Sequence, residues 1–491
     1  MTPDALRFTV RVDHNEHIPV GSRSVGVLLT ISAEDPGTAA GDRPVAAEVI
    51  VIDTSASMTG AKIDRACQAA ISAVEVLRDG TYFAVVAGQS FARSVYPARG
   101  LAVASPVTRE EAARALSQVT ARGGTSMSTW LTLTRELMDS RPDAEIRHAI
   151  MLTDGQNTEG EGPLAAALEA CKGRFVCDWR GIGDDWSYLQ LRRITRDLLG
   201  DWKPVAEPDE LAQDFRAAMA ATMAKRAAGV TLSVWTPDGA KVAYLARVMP
   251  VIEELTELGV VRDAHTEVFP LGDWGAQVAD YHLTIDVGQE DLNVEVEGRA
   301  RAARIELAVT LPGGERSVVA TESIGVSWTE DIALSSRIAP RLAGYLGLER
   351  LAAAVDEGLA AWKSGDPGAR EQLGEAVRLA HEHHREELLE RLSTIVVIED
   401  RAEGRIQLRP REQVPPGSVN WSSYFAGISK YVKSEDGEDG EDDGAGELTE
   451  DRSDDSWSDA RGWSEERSWS EDRGGSELRG DPDDRRGPAH G

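Results

Sequence analysis

The sequence predicts an α/β protein: a doubly wound, mostly parallel sheet followed by a β-sandwich, a helical segment and a disordered acidic tail. Three observations carry this. Val49-Ile50-Val51-Ile52 is a continuous apolar run of the kind found in strands buried on both faces of a parallel sheet. Strand-like and helix-like periodicities then alternate to about residue 226, which demands crossover connections. Beyond residue 229, short strand-like runs recur between Gly and Pro turns.

Taken in order, residues 1–44 hold alternating runs, Phe8 to Val12 and Val25 to Ile31, that read as strands. We expect them to pair with the later sandwich, leaving the α/β unit inserted between its parts. That unit covers residues 45–227. Its helices are expected near 62–77, 109–118, 127–139, 164–171, 188–199 and 209–226, and its further strands near 82–87, 92–97, 147–153 and 174–182. The sandwich covers residues 228–329, with strands around Val230, Tyr281 and Ala303. A helical segment covers 330–410. Leu342, Leu346, Leu351, Val355 and Leu359 recur at helical spacing, and the pattern breaks at Gly365-Asp366-Pro367-Gly368. The runs 394–399 and 405–408 are expected to form a closing hairpin.

The 491-residue chain carries a formal net charge of −30. Residues 434–491 hold 21 acidic against 7 basic side chains, so nearly half of that charge sits in one segment. Such a tail cannot bury enough apolar surface to offset its ordering entropy, and disorder is expected. It contains a hexad repeat, starting at Ser456, Gly462 and Ser468, with Trp457, Trp463 and Trp469; a fourth copy from Gly474 lacks the tryptophan. Six residues turn a helix by roughly 240°, so these rings would not share a helical face. Nucleic-acid binding, which needs clustered Lys and Arg, is not expected.

Cys67, Cys171 and Cys177 are too few and too odd in number for a disulfide framework. No run approaches the ~20 apolar residues of a membrane span, and the start of the chain lacks a signal-peptide pattern. A cytoplasmic protein without membrane partners is expected.

The chemistry lies at the end of the first buried strand. Asp53, Ser55 and Ser57 form the pattern Asp-x-Ser-x-Ser, where an open parallel sheet presents ligands. Gly123-Gly124-Thr125 follows some 70 residues on, and a later strand ends in Asp154-Gly155. Three hydroxyls and two carboxylates suit magnesium, which takes six hard oxygens and gives up its waters reluctantly. Ser126 and Ser128 are alternative loop hydroxyls, with Ser126 better placed to cap the next helix. The glycines are expected to let the backbone approach the ion.

In order, strand context and spacing, these residues resemble the metal-ion-dependent adhesion site of von Willebrand factor A domains, over roughly residues 45–226. The resemblance implies a Rossmann-like sheet. It also implies a metal set of Asp53, Ser55, Ser57, Thr125 and Asp154 holding Mg2+, or Mn2+ in its place, with the carboxylates acting directly or through water. The ion would then seek an Asp or Glu of a partner protein. A similarity to bacterial A-domain proteins implies a second kind of partner, an AAA-type ATPase (chaperone or metal-insertion machine) or a kinase/phosphatase system. No catalytic set accompanies the metal residues, so the chain is expected not to be an enzyme.

Other signals read as structure. His381-Glu382-His383-His384 lacks metal-ligand spacing and reads as a solvated face. The cysteines read as buried, inert thiols. Trp179, Trp186 and Trp202 either flank the metal face or, more commonly for such residues, pack the core.

Overall fold

The computed structural model describes residues 6–37, 43–183, 185–205, 210–287, 299–311, 313–415 and 417–429. The tail and its tryptophan repeat lie outside these.

The chain opens with β1 (Arg7–His14), β2 (His17–Pro19) and β3 (Ser24–Glu34). The α/β unit follows, with β4 (Ala46–Asp53), α1 (Ala61–Glu75), β5 (Tyr82–Gly88), β6 (Arg93–Tyr96), β7 (Ala102–Val103), α2 (Pro106–Leu116) and α3 (Met127–Asp139). It continues through β8 (Ile146–Thr153), α4 (Glu161–Cys171), β9 (Val176–Ile182), α5 (Tyr188–Asp197), β10 (Trp202–Val205) and α6 (Leu211–Met223). The sheet order is β10-β9-β8-β4-β5-β6, with β7 also on β5. All pairs from β10 to β5 are parallel, and β6 and β7 run antiparallel.

Every residue of β4 is buried, as its apolar run requires. Alternate side chains face two cores. Ile50 and Ile52 meet the small-residue face of α1, which brings Ala66, Ala69, Ala70 and Ala73 close to the sheet. Val49 and Val51 meet α3, α4 and α5. The strand order reverses direction at β4, with β5 on one side and β8 on the other. The crevice at their carboxyl ends is where such sheets bind ligands.

Trp130 of α3 packs flat on Gly88 at the end of β5. A Cβ there would lie 2.5–2.9 Å from three indole atoms. The ring cannot retreat, because its Nε1 donates to Gln89 O at 2.8 Å and it stacks on Trp179. Gly88→Ala is therefore expected to cost about 1–3 kcal/mol of overpacking strain, read as an earlier denaturation midpoint.

The sandwich strands are β11 (Ala227–Trp235), β12 (Ala240–Met249), β13 (Glu253–Glu254), β14 (Val260–Asp263), β15 (Thr266–Trp274), β16 (Gln277–Val287), β17 (Arg299–Thr310) and β18 (Arg316–Thr329). The N-terminal strands complete both sheets. One is β1-β3-β16-β12-β13 and the other is β14-β15-β11-β17-β18-β2. The α/β unit is thus inserted between parts of the sandwich.

Helices α7 (Ile332–Ser335), α8 (Pro340–Ser364), α9 (Ala369–Glu382) and α10 (Glu386–Ser393) follow, then the hairpin β19 (Val396–Asp400) and β20 (Arg405–Leu408), and α11 (Ser418–Gly427). The break between α8 and α9 is capped by Gly365 at φ +79°. Two points differ from expectation. The helices do not stand apart from the sandwich: Leu342, Tyr345 and Leu348 share a core with Leu28, Ala246 and Val248. Sequence periodicity also missed α11, which reaches the α/β unit through Asn420 Nδ2 to Trp186 O at 3.1 Å and through Tyr424 against Trp202. Among the described residues no helix is long and apolar enough to cross a membrane.

Candidate metal centre

Three loops meet at the carboxyl ends of β4 and β8. The first loop is anchored on its neighbours by backbone bonds. Thr54 N donates to Gly88 O (2.7 Å), Ala56 N to Gly123 O (2.9 Å) and Arg122 N to Thr54 O (2.7 Å). Thr158 N donates to Thr125 O (2.8 Å), joining the second and third loops.

All five sequence-identified side chains belong to this rim. Asp53, Ser55, Thr125 and Asp154 are buried, and Ser57 is exposed. Ser55 Oγ lies 3.0 Å from Ser57 Oγ, which donates to Asp154 Oδ1 at 2.7 Å. A Cβ added at Gly155 would lie 3.9 Å from both Ser57 Oγ and Thr125 Oγ1. In an octahedron of oxygens bound to magnesium, neighbouring ligands sit about 2.9 Å apart, which follows from ~2.0–2.1 Å bonds. The two serines and Asp154, hydrogen-bonded to one another, stand at that spacing, so these three side chains could share a small hard cation. Among the described residues no group of three or more His, Cys, Asp or Glu is arranged as metal ligands. The set at this rim relies on hydroxyls instead.

Asp53 is differently placed. Its Oδ1 accepts from Ser55 N at 2.8 Å and its Oδ2 from Thr153 Oγ1 at 2.8 Å. Burial pushes its carboxyl up to about 6, against the hydrogen bonds from Ser55 and Thr153. With both oxygens engaged, Asp53 holds the loop in shape and can reach an ion through water.

Several features were not read from the sequence. Lys62, in the first turn of α1, places Nζ 2.6 Å from Asp154 Oδ2. A cation at a helix N-terminus opposes the helix dipole, and that was the available hint that it has a carboxylate partner. Glu159 accepts from both Ser128 N and Ser128 Oγ at 2.6 Å, fastening the Asp154 loop to α3. Ser128 is thereby committed elsewhere. Ser126 stands at the N-cap of α3 but makes no side-chain cap bond, contrary to expectation. Of the three glycines expected to admit close approach, only Gly123 uses the left-handed region, at φ +83°. Trp179, Trp186 and Trp202 are core residues and do not flank the rim. The three cysteines are buried and unpaired. His381 and His384 are exposed.

Below the rim, on the α1 side of the sheet, lies a row of charge. Glu48, His148 and Asp178 stand on adjacent strands β4, β8 and β9. His148 Nδ1 lies 2.8 Å from Glu48 Oε1, and its Nε2 lies 3.3 Å from Asp178 Oδ2. This histidine sits near the opposite end of β8 from Asp154 and offers the rim no general base.

Residues 47–202 match the profile of the von Willebrand factor type A domain. The fold as a whole matches the solved von Willebrand factor type A protein from Catenulispora acidiphila, at 34% identity, covering 88% of this chain and 99% of that one, with a TM-score of 0.80. The chain belongs to the von Willebrand factor type A family. VWA domains generally mediate protein–protein interaction. Two further relatives are more partial. An uncharacterized protein of Synechocystis is 24% identical over 52% of this chain, which spans 59% of that protein. Pig inter-alpha-trypsin inhibitor heavy chain H1 is 30% identical over 34% of this chain, which spans 20% of it. This chain spans 59% and 20% of the length of these two relatives, so much of each is left unmatched.

Proposed function

We propose that the VWA domain of this chain is a metal-dependent binding module, gripping a partner protein through an Asp or Glu side chain, and that the chain acts as a non-enzymatic scaffold in the cytoplasm. The convergence of Ser55, Ser57, Thr125 and Asp154 on one rim, with the oxygens of Ser55, Ser57 and Asp154 at octahedral-edge spacing, carries this reading. Ser55, Ser57, Thr125 and Asp154 would hold the cation directly, Asp154 supplying the negative charge, and Asp53 would orient the loop. When bound, Mg2+ or Mn2+ supplies a hard, incompletely neutralised positive charge that favours one more anionic oxygen. Neutral hydroxyls in place of further carboxylates leave that charge available to a partner.

Lys62 competes for the same carboxylate. Removing its charge as Lys62→Gln is expected to tighten Mn2+ binding several-fold, because a like charge beside the ion opposes its entry. Titration of Mn2+ by electron paramagnetic resonance reads this directly.

The reading is tested by capturing partners from a lysate in Mg2+ and in EDTA, with Asp154→Ala beside the native chain. Partner bands present only with Mg2+ and lost in the variant support it. Full retention in EDTA sinks it. The rival role beside an AAA-type ATPase uses the same contact and is told apart by stimulated ATP hydrolysis on mixing.

A further inference from the structure

The helix that follows Thr125 is capped from outside. Ser126, at the N-cap of α3, makes no side-chain cap bond. The first backbone donors of the helix go instead to the loop that carries Asp154. Met127 N donates to Asn157 Oδ1 at 3.1 Å, and Ser128 N donates to Glu159 Oε1 at 2.6 Å. Helix-terminal N–H groups need such partners, and the helix dipole favours a carboxylate among them. Between these two bonds, Thr158 brackets the Thr125 peptide. Its hydroxyl accepts from Thr125 N at 3.2 Å and donates to Thr125 O at 2.7 Å, beside the Thr158 N bond to the same carbonyl. Asn157 Nδ2 donates to Glu159 O at 3.0 Å, which closes the turn.

Consecutive residues of one ligand loop are thus fastened to consecutive residues of the other. Asn157, Thr158 and Glu159 are not ligand candidates themselves. Among the described residues nothing bonds the buried Thr125 hydroxyl, so its place is set by the backbone that Thr158 brackets.

Rigidity between ligand loops matters because cations differ in size. Oxygens around magnesium stand about 2.9 Å apart, and around calcium roughly 3.4 Å, from bonds of ~2.4 Å. Calcium also accepts about six to eight ligands in loose geometry, and selectivity between the two ions follows cavity size, ligand number and flexibility. A rim whose loops can part accommodates calcium; a fastened one resists it.

We propose that Asn157, Thr158 and Glu159 are positioning residues that make the rim select small divalent cations over calcium, by keeping the Thr125 and Asp154 segments from parting. This rests on the metal-dependent reading above and adds to it the residues, other than the ligands, that choose the ion.

The test titrates the full chain with Mn2+, read by electron paramagnetic resonance, and obtains Ca2+ affinity from displacement of bound Mn2+. Circular dichroism in EDTA checks that each variant is folded. The native chain is expected to prefer Mn2+ over Ca2+ tenfold or more. Thr158→Val and Glu159→Ala should each weaken Mn2+ binding about tenfold, as loss of an outer-shell partner implies. Ca2+ binding should weaken less, so that the preference shrinks at least threefold. Thr158 is exposed and its replacement changes no charge, so this variant decides the matter even if Glu159→Ala does not fold. Thr158→Ser, which keeps the hydroxyl, should restore the native preference. A Thr158→Val chain with the native ion preference overturns the inference, whether both affinities are kept or both fall equally, and the metal site still stands. Equal affinity of the native chain for Mn2+ and Ca2+ overturns it in the same way. Absence of Mn2+ binding by the native chain brings down the metal reading and this inference together.

Discussion

Asp154→Ala lowers Mn2+ affinity at least a hundredfold and leaves the fold intact. Both halves of this expectation come from the position of the side chain. Among the described residues, the Asp154 carboxylate meets a hydroxyl, Ser57, and an ammonium, Lys62, at the rim. No described backbone bond of the sheet depends on it. Removing even an outer-shell partner of a metal typically costs 10–100-fold in affinity, so a direct carboxylate should cost more. Asp53→Asn makes the contrast. Its oxygens brace Ser55 and Thr153, and the change should weaken metal binding less. Electron paramagnetic resonance titration with circular dichroism on the same samples checks both. An Asp154→Ala protein that binds Mn2+ like the native chain would remove this residue from the site.

The largest stability effect is expected away from the rim, at His148. Burial opposes charge on this imidazole, but Glu48 and Asp178 on its two sides outweigh that and raise it to about 9. Burial pushes Glu48 up, offset by His148, while His148 holds Asp178 well below the ordinary carboxylate range against its own burial. Truncation to alanine leaves the buried Glu48 and the partly buried Asp178 without their shared cation. Breaking a buried pair in this way costs about 3–5 kcal/mol. The pH dependence has a definite sign. A group raised in the folded state gives its full stabilisation below its unfolded value, ~6.5 for histidine. That contribution fades as pH climbs and is gone above about 9. The native denaturation midpoint should therefore drop between pH 7 and 10 more steeply than that of His148→Gln. Parallel slopes would mean that His148 is neutral in the folded chain.

Much of the rim was legible because its signals are local. Asp53, Ser55 and Ser57 lie on one loop after an unmistakably buried strand, and Asp154 follows another. Thr125 came from a Gly-Gly-Thr turn whose first glycine does need its left-handed backbone. What escaped depends on register and packing between distant segments. Glu48 and His148 look like ordinary polar interruptions until β4 and β8 align them as direct neighbours. Lys62 looks like a solvated helix residue until α1 carries it over Asp154. Ser418–Gly427 has no clean apolar stripe, because Asn420 and Ser423 are themselves buried and bonded to Trp186 and Asp356. Burial through polar contacts leaves no hydrophobic period to read.

The way the sandwich is assembled has a practical consequence for dissecting the chain. β3 pairs with β16 along ten consecutive residues, Gln277 to Asp286. A fragment starting at residue 45 would keep every candidate ligand of the rim, yet leave that long strand with a raw, unpaired margin. Such margins recruit other chains. Clumping of a fragment trimmed there would report the missing residues 1–44, and would be silent on whether the rim can hold its ion.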